Sequence, residues 1–175
     1  MLSSSTHRLR AIEPSDVAQL LDWENDANTW WLGATLTPYS EATMMKFAEG
    51  DHDIYNDKQL RLMLDVKTDE SQWETVGAVD LYEFDPRNNR AGVGIVVGEP
   101  HRRKGHAVEG LMLLANYAFN HLGVHQLFAE VPAIHESSVN LFLKAGYTKS
   151  ENRTDWVRKD GEWIDVILMQ KIAGN

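Results

Sequence analysis

Residues 92 to 107 read GVGIVVGEPHRRKGHA: an apolar strand, a short polar loop, three consecutive cations and a glycine that opens a long helix. This order constrains the fold, because a buried strand must carry the loop to the sheet edge before a helix can turn back over the sheet. Arg102, Arg103 and Lys104 supply positive charge there, and Gly105 lets backbone N–H groups approach a ligand with no Cβ in the way. The helix adds its positive dipole end. Its stripe of Val108, Leu111, Met112, Ala115, Ala118, Phe119 and Leu122 closes at Gly123. Such a stretch suits a phosphate-bearing cofactor, and it also suits a solvated cationic loop at a helix start.

The remaining pattern supplies a sheet around this unit. Residues 7 to 12 read as a short first strand, and Pro14 and Asp16 suit the first turn of a helix carrying Val17, Leu20, Leu21 and Glu24. A second helix starts near Ser40, with Met44, Phe47 and Ala48 at helical spacing; the loop before it holds Trp30, Trp31 and Tyr39, lids over the core or walls of a ligand site. From Leu60 the period becomes two. Leu60, Leu62, Leu64 and Val66 alternate with Arg61, Met63 and Asp65, a half-buried strand, and residues 75 to 84 repeat the signal before a turn at Pro86, Asn88 and Asn89. A strand from Gln126 to Pro132, a helix with Ser138, Leu141, Phe142 and Ala145 on one face, and two strands joined at Asp160-Gly161 complete the chain. The order β α α β β β α β α β β predicts an α+β fold, a mostly antiparallel sheet of about seven strands with helices on both faces.

With 175 residues and no Pro/Gly linker or repeat, the chain reads as one domain over 1–175. Cysteine is absent, which removes disulfides, a cysteine nucleophile and thiolate metal sites. The seven histidines show no metal-ligand spacing, so no metal is expected. A net charge of −9 argues against general nucleic-acid affinity, and no window approaches the ~20 apolar residues of a membrane span. The N-terminus lacks a signal-peptide core, so the expectation is a soluble, cytoplasmic protein.

Arg102, Gly105 and Ala107, with His106 in the variable slot, fit the spacing of the acyl-CoA pyrophosphate loop of the GNAT N-acetyltransferases, which this segment resembles. Residues 131–147, VPAIHESSVNLFLKAGY, resemble the family's segment after the fifth strand through Leu141, Lys144, Gly146 and Tyr147. The two ends, LRAIEPSD and RKDGEWIDVILMQKI, are similar to the branch of ribosomal-protein alanine and spermidine N-acetyltransferases. The resemblance implies a GNAT fold splayed between its fourth and fifth strands, with acetyl-CoA as donor and an amine as acceptor, and it leaves a homo-oligomer open. It assigns the acyl-CoA side to Ile95, Val96 and Val97 on the fourth strand and to Arg102, Arg103, Lys104, Gly105, His106 and Ala107 in the loop. Beyond the fifth strand it adds His135, Ser138 and Lys144.

Three positions depart from the family pattern. Phe142 stands where many relatives have a proton-donating tyrosine, Gly92 where many have a glutamate, and His135 where an asparagine is usual. Asp80 and His135 are the substitutes on offer as catalytic groups. Trp31, Tyr39, Asp80 and Glu83 are expected on the acceptor side, Asp80 because an acidic residue at its place faces the acceptor in the spermidine branch. Leu36 and Thr37 replace the paired glutamates that precede Pro-Tyr in that branch. Carboxylates in strands also serve simply as a solvated face, and His135 reads equally as a base, a CoA contact or an N-terminal helix residue. The expected activity is acetyl transfer from acetyl-CoA to a primary amine, a small polyamine-like molecule or a protein N-terminus, by direct attack. The alternative is an acyl-CoA-binding protein with little or no turnover.

Overall fold

In the computed structural model, which describes residues 2–33, 35–69 and 72–174, the turn at 86–89 folds the segments on either side of it into a hairpin. Its strands are β3 (Trp73–Asp85) and β4 (Arg90–Val97), with Asn89 in the left-handed region that closes the turn. To one side lie β2 (Leu60–Lys67) and β1 (His7–Arg10); to the other lie β5 (Gln126–Pro132), β7 (Glu162–Ile172) and the edge strand β6 (Thr148–Lys159). The sheet runs β1-β2-β3-β4-β5-β7-β6, and every neighbouring pair is antiparallel except β4 with β5. Asp160 and Gly161, both at positive φ, make the β6–β7 turn.

Period-two patterning decides which side chains face which helices. Leu62, Leu64, Val79, Leu81 and Val93 pack with Leu111, Leu114, Ala115 and Ala118 of α4 (His106–Asn120), and Val139 and Phe142 of α5 (Glu136–Lys144) join the same cluster. On the opposite face Met63 and Ala78 meet Val17 and Leu20 of α1 (Val17–Glu24) and Met44 and Ala48 of α2 (Glu41–Ala48). β2 is thus covered on both faces: Met63 and Leu64 are each fully buried. The alternation of Arg61, Met63 and Asp65 suggests a solvated face because two of the three are charged, yet both charges are paired under α1. Asp65, 1% exposed, accepts from Arg8, Arg10 and Thr75. Arg10 in turn grips Asp16 just before α1.

The helix boundaries follow their caps. Ser40 accepts from the Thr43 amide at the start of α2, and Gly123 and Gly146 take positive φ after α4 and α5. A one-turn helix, α3 (Ile54–Asp57), capped by Asp53, has no apolar period of its own and leaves no signal in the sequence beyond that cap. Among the described residues no helix is long and apolar enough to cross a membrane, and no cluster of His, Cys, Asp or Glu could hold a metal ion.

Candidate active site

β4 and β5 part company. They pair at only three positions, Arg90 with Gln126, Ala91 with Leu127 and Gly92 with Phe128. Beyond these, β4 stays with β3 as far as Val97, while β5 stays with β7 as far as Pro132, so each strand follows its antiparallel partner and a wedge opens between them. Gly94, Ile95, Val96 and Val97 are partly exposed, whereas Ala91, Gly92 and Val93 before them in the same central strand are buried. Successive amides of a strand turn to opposite neighbours, so the β4 amides that face β5 here have no strand partner. An extended ligand can take that edge as an added strand.

The basic loop forms one lip of the wedge. A single turn at Glu99–His101 follows β4, and Arg102 reaches back so that its Nε donates to the Val97 carbonyl at 3.0 Å. Arg103 and Gly105 take φ of 62° and 91°, which turns the chain into α4 with Gly105 as its N-cap. A Cβ at Gly105 would meet nothing within 4 Å, so the space above this helix start is clear. The first amides of α4 lack intrahelical acceptors and point with the dipole into that space. His106 Nδ1 and His7 Nε2 lie 2.9 Å apart, and Thr6 hydrogen-bonds the other His7 nitrogen. Burial lowers both histidine pKa values, and for His106 the neighbouring His7, His101 and Lys104 lower it further.

The other lip is the start of α5. His135 occupies the N-cap, its pKa lowered by burial and by Arg102 across the wedge. The ring of Trp31 stands edge-on to it at 6.0 Å, and Lys159 at the end of β6 lies 5.0 Å from the centre of the Trp31 ring. The structure therefore brings Arg102, His135 and Trp31 together at the mouth. Ser138 is half-buried one turn along α5, its amide donating to the His135 carbonyl, whereas Lys144 is exposed at the far end of the helix.

Asp80 lies on the α1–α2 side of the sheet, opposite Gly94. It is 8% exposed and is held by Arg61 from β2, Nε to Oδ1 at 2.7 Å and Nη2 to Oδ2 at 3.1 Å. Arg61 Nη1 also reaches Glu24 at the end of α1, at 2.6 Å. Burial alone would lower the Arg61 pKa; Asp80 and Glu24 more than offset it and hold the guanidinium above its ordinary value. Glu24, Arg61 and Asp80 together carry one net negative charge. Two neighbouring cavities, about 430 and 200 Å³, share Arg61, Thr43, Phe47 and Gln59 in their walls, and Tyr39 and Glu24 line the smaller. Tyr39 is fixed there by Asn25, whose side chain bonds both its amide and its carbonyl.

Glu83 lies apart from this group. It sits exposed at φ 48° in a bulge beyond the Tyr82–Gly92 pair, at the closed end of the wedge. Phe142 is 3% exposed and packs edge-on against Tyr147, 5.0 Å away, inside the core. Three side chains at the site escape the sequence reading: Arg61, Glu24 and Tyr82. Arg61 pairs with Asp80 only once the β2–β3 register is set, and Glu24 follows from where α1 stops. Tyr82 had a local signal: Gly92 and Gly94, two residues apart, strip one face of β4, and something from β3 must lie over it.

A sheet wedge beside a basic loop at a helix start, with an acidic group behind it, has the shape and charge to take an extended, phosphate-bearing ligand. Comparison with known proteins supplies the family. The model of a family described as an acetyltransferase (GNAT) domain matches residues 7–148, and the chain belongs to that family. A relative from Bacillus subtilis (strain 168), the SPbeta prophage-derived uncharacterized N-acetyltransferase YokL, is 24% identical over 91% of this chain and 85% of its own. The uncharacterized N-acetyltransferase p20 of Bacillus licheniformis is 29% identical, but that match spans 58% of this chain and 59% of the relative. Among solved structures, spermidine N-acetyltransferase from Vibrio cholerae in complex with CoA and spermine superposes with a TM-score of 0.83 at 20% identity, covering 97% of this chain and 96% of that one. A dodecameric structure of the Vibrio cholerae enzyme gives 0.78 at 22% identity, covering 97% of this chain and 95% of that one. These two are likenesses of fold.

Proposed function

We propose that the protein transfers the acetyl group of acetyl-CoA to a primary amine inside the β4–β5 wedge. The observation that carries this reading is the parallel pairing that stops after Gly92–Phe128, which bares the β4 edge beside a glycine-opened, cation-flanked helix start. Arg102, Arg103, Lys104 and the first amides of α4 hold the pyrophosphate, and the pantetheine arm runs along Ile95 to Val97 as an added strand. His135 and Ser138 border the arm from α5.

The reaction then needs three things from the chain. The acceptor amine, protonated near pH 7 with a pKa of about 10, must lose a proton. It must be held against the thioester carbonyl, and the oxyanion must be met by donors already in place, which the outward amides of β4 supply. The departing thiolate titrates near ~8.5 and needs no acid to leave, so the burial of Phe142 is no obstacle to turnover. With no cysteine in the chain, attack is direct.

The acceptor enters from the α1–α2 side, past Trp31, Tyr39 and the net negative group at Asp80. That charge and the overall −9 favour a cationic amine, a polyamine-like molecule ahead of a protein N-terminus. The spermine-bound neighbour of the same fold supports this order, and its dodecameric form supports a homo-oligomer here. The test is CoA release with spermidine, spermine, propylamine, an Ala-starting peptide and an aminoglycoside. Turnover of spermidine above the others is expected. Tight acetyl-CoA binding without turnover of any amine establishes the alternative, an acyl-CoA-binding protein that has lost its catalysis.

A further inference from the structure

Tyr82 occupies the apex of the wedge. It stands on β3 opposite Gly92, and an ideal Cβ on Gly92 would lie only 2.2 Å from its ring. The ring therefore passes directly over β4 and packs edge-on against Phe128 of β5, centroids 5.9 Å apart. At the end of this span the phenol faces Glu130 of β5, two residues beyond Phe128. A bulge between Tyr82 and Asp85, with Glu83 at positive φ, marks the spot where β3 is re-aimed. The hydroxyl thus crosses the last paired position of β4 and β5 and lies at the point where the strands begin to separate. It is on the face shared with Asp80 and Gly94, the side from which the acceptor enters.

A phenol oxygen has one proton and two lone pairs. One lone pair that accepts and the O–H that donates are all that a relay requires. Resting on the acetyl-transfer reading above, we infer that Tyr82 is the proton relay for the acceptor amine: the ammonium gives a proton to a lone pair of the phenol while the phenol gives its own to water. The N–H bond breaks, a new O–H bond forms on Tyr82 as the old one breaks, and the proton ends in solvent. Tyr82 finishes as it began, and the amine is left neutral.

The surroundings fit a relay and disfavour a simple base. Burial raises the Tyr82 pKa, and Glu130, Glu83 and Asp80 raise it further, partly opposed by the Glu130 amide, so the group stays protonated through neutral pH. The charged and titratable groups around it are Asp80 and Glu83 on its own strand, Glu130 on β5 and Tyr147 just before β6. Glu130 is itself paired with Arg153 of β6. Because neighbouring carboxylates penalise the phenolate, a concerted hand-over is favoured over a stored negative charge.

The experiment compares Tyr82→Phe with the native protein across pH 7 to 10, using every panel amine that the native protein acetylates. Acetyl-CoA affinity and melting temperature serve as controls, since the ring and its packing are retained. The expected result is a loss of kcat/KM of about a hundredfold at pH 7, shrinking to less than about threefold as pH nears the amine pKa of about 10, where the acceptor arrives neutral. A second variant, Tyr82→Val with Gly92→Glu, vacates the ring volume and places a carboxylate over the same stretch of β4. It should recover at least a tenth of native activity at pH 7, while Tyr82→Val alone should not. An unchanged rate in Tyr82→Phe, or a loss equal at every pH, overturns the relay and leaves the transferase reading standing. No turnover of any amine by the native protein overturns both.

Discussion

The Arg61–Asp80 pair can be measured directly, and its strength decides what Asp80 is free to do. Arg61→Met removes the guanidinium but keeps most of the stem volume, leaving Asp80 without either of the two hydrogen bonds that Arg61 gives it, at 8% exposure. Breaking one half of a buried ion pair costs about 3–5 kcal/mol. Glu24 adds less, because it lies at the end of α1 with its side chain 18% exposed and can turn to water. At about 2–4 °C per kcal/mol for a chain of this size, the melting temperature should fall by about 6–20 °C. That loss is a large share of a total stability of about 5–15 kcal/mol, so the shift is readily measured. Adding Asp80→Asn to Arg61→Met removes the stranded charge, so the double variant should regain at least half of the loss, a coupling visible in a double-mutant cycle by thermal and urea unfolding. A fall below about 2 °C in Arg61→Met, a shift no larger than that of a surface substitution, refutes the reasoning. So does a double variant no more stable than the single. The functional counterpart is Asp80→Asn alone, which removes the net negative charge of the group. It should lower kcat/KM for spermidine more than for propylamine; equal losses would show that Asp80 serves the fold and not the acceptor.

Three further outcomes are expected. Acetyl-CoA at a hundredfold excess over its Kd should stabilise the protein by about 2.7 kcal/mol, read as a rise in melting temperature, and no shift at millimolar ligand would remove the donor assignment. Gly105→Glu should weaken acetyl-CoA binding by more than about tenfold in calorimetry, because its side chain enters the clear space at the helix start; the positive φ also adds a strain of about 1–2 kcal/mol to the folded state. Unaltered affinity in the folded variant would place the phosphates elsewhere. His7, His106 and His135 all have folded pKa values below 6.5, so the unfolded chain binds more protons between the two values. Their contribution to stability is complete above about pH 6.5 and is lost as pH falls through that value. Melting temperature should therefore drop between pH 7.5 and 5.5, and His7→Asn, which replaces one of the titrating pair with a neutral side chain, should flatten the slope. An unchanged slope would show that the His7–His106 contact is not titrating.

The elements were legible wherever one period dominated. The stripe from Val108 to Leu122 and the alternation in 60–66 place α4 and β2 because each must bury one face to exist. The turn residues at 86–89 and 160–161 then set which strands are neighbours. The wedge itself has no period. It arises because β5 obeys β7 and β4 obeys β3, two long-range pairings, and a reading of local pattern reaches it only through the family resemblance. α3 had too few residues to show a stripe. The second face of β2 misled for a different reason: Arg61 and Asp65 look solvated, and only their partners Asp80, Arg8 and Arg10, distant in sequence, make burial affordable.

Gly92 shows how an apparent deficit in the sequence changes meaning in the fold. Taken alone it is a missing side chain in the middle of a catalytic strand, and it argues for a site that binds without reacting. In the sheet the missing Cβ is the condition for Tyr82 to cross: with 2.2 Å between the ring and the ideal Cβ position, only one of these cross-strand neighbours can carry a large side chain. The chain has put a group able to both accept and donate over β4 from the neighbouring strand. Position 92 and position 82 therefore form one design variable, and substitutions at either are interpretable only with the other in view. Gly92→Ala tests that linkage with a single methyl. It must push the Tyr82 ring off Phe128 or bend β4, a conflict worth about 1–3 kcal/mol, and it should reproduce the pH-dependent activity loss of Tyr82→Phe although the phenol is still present. A Gly92→Ala protein with native stability and a native pH–rate profile would mean that the ring moves freely, and that its position over β4 has no part in the chemistry.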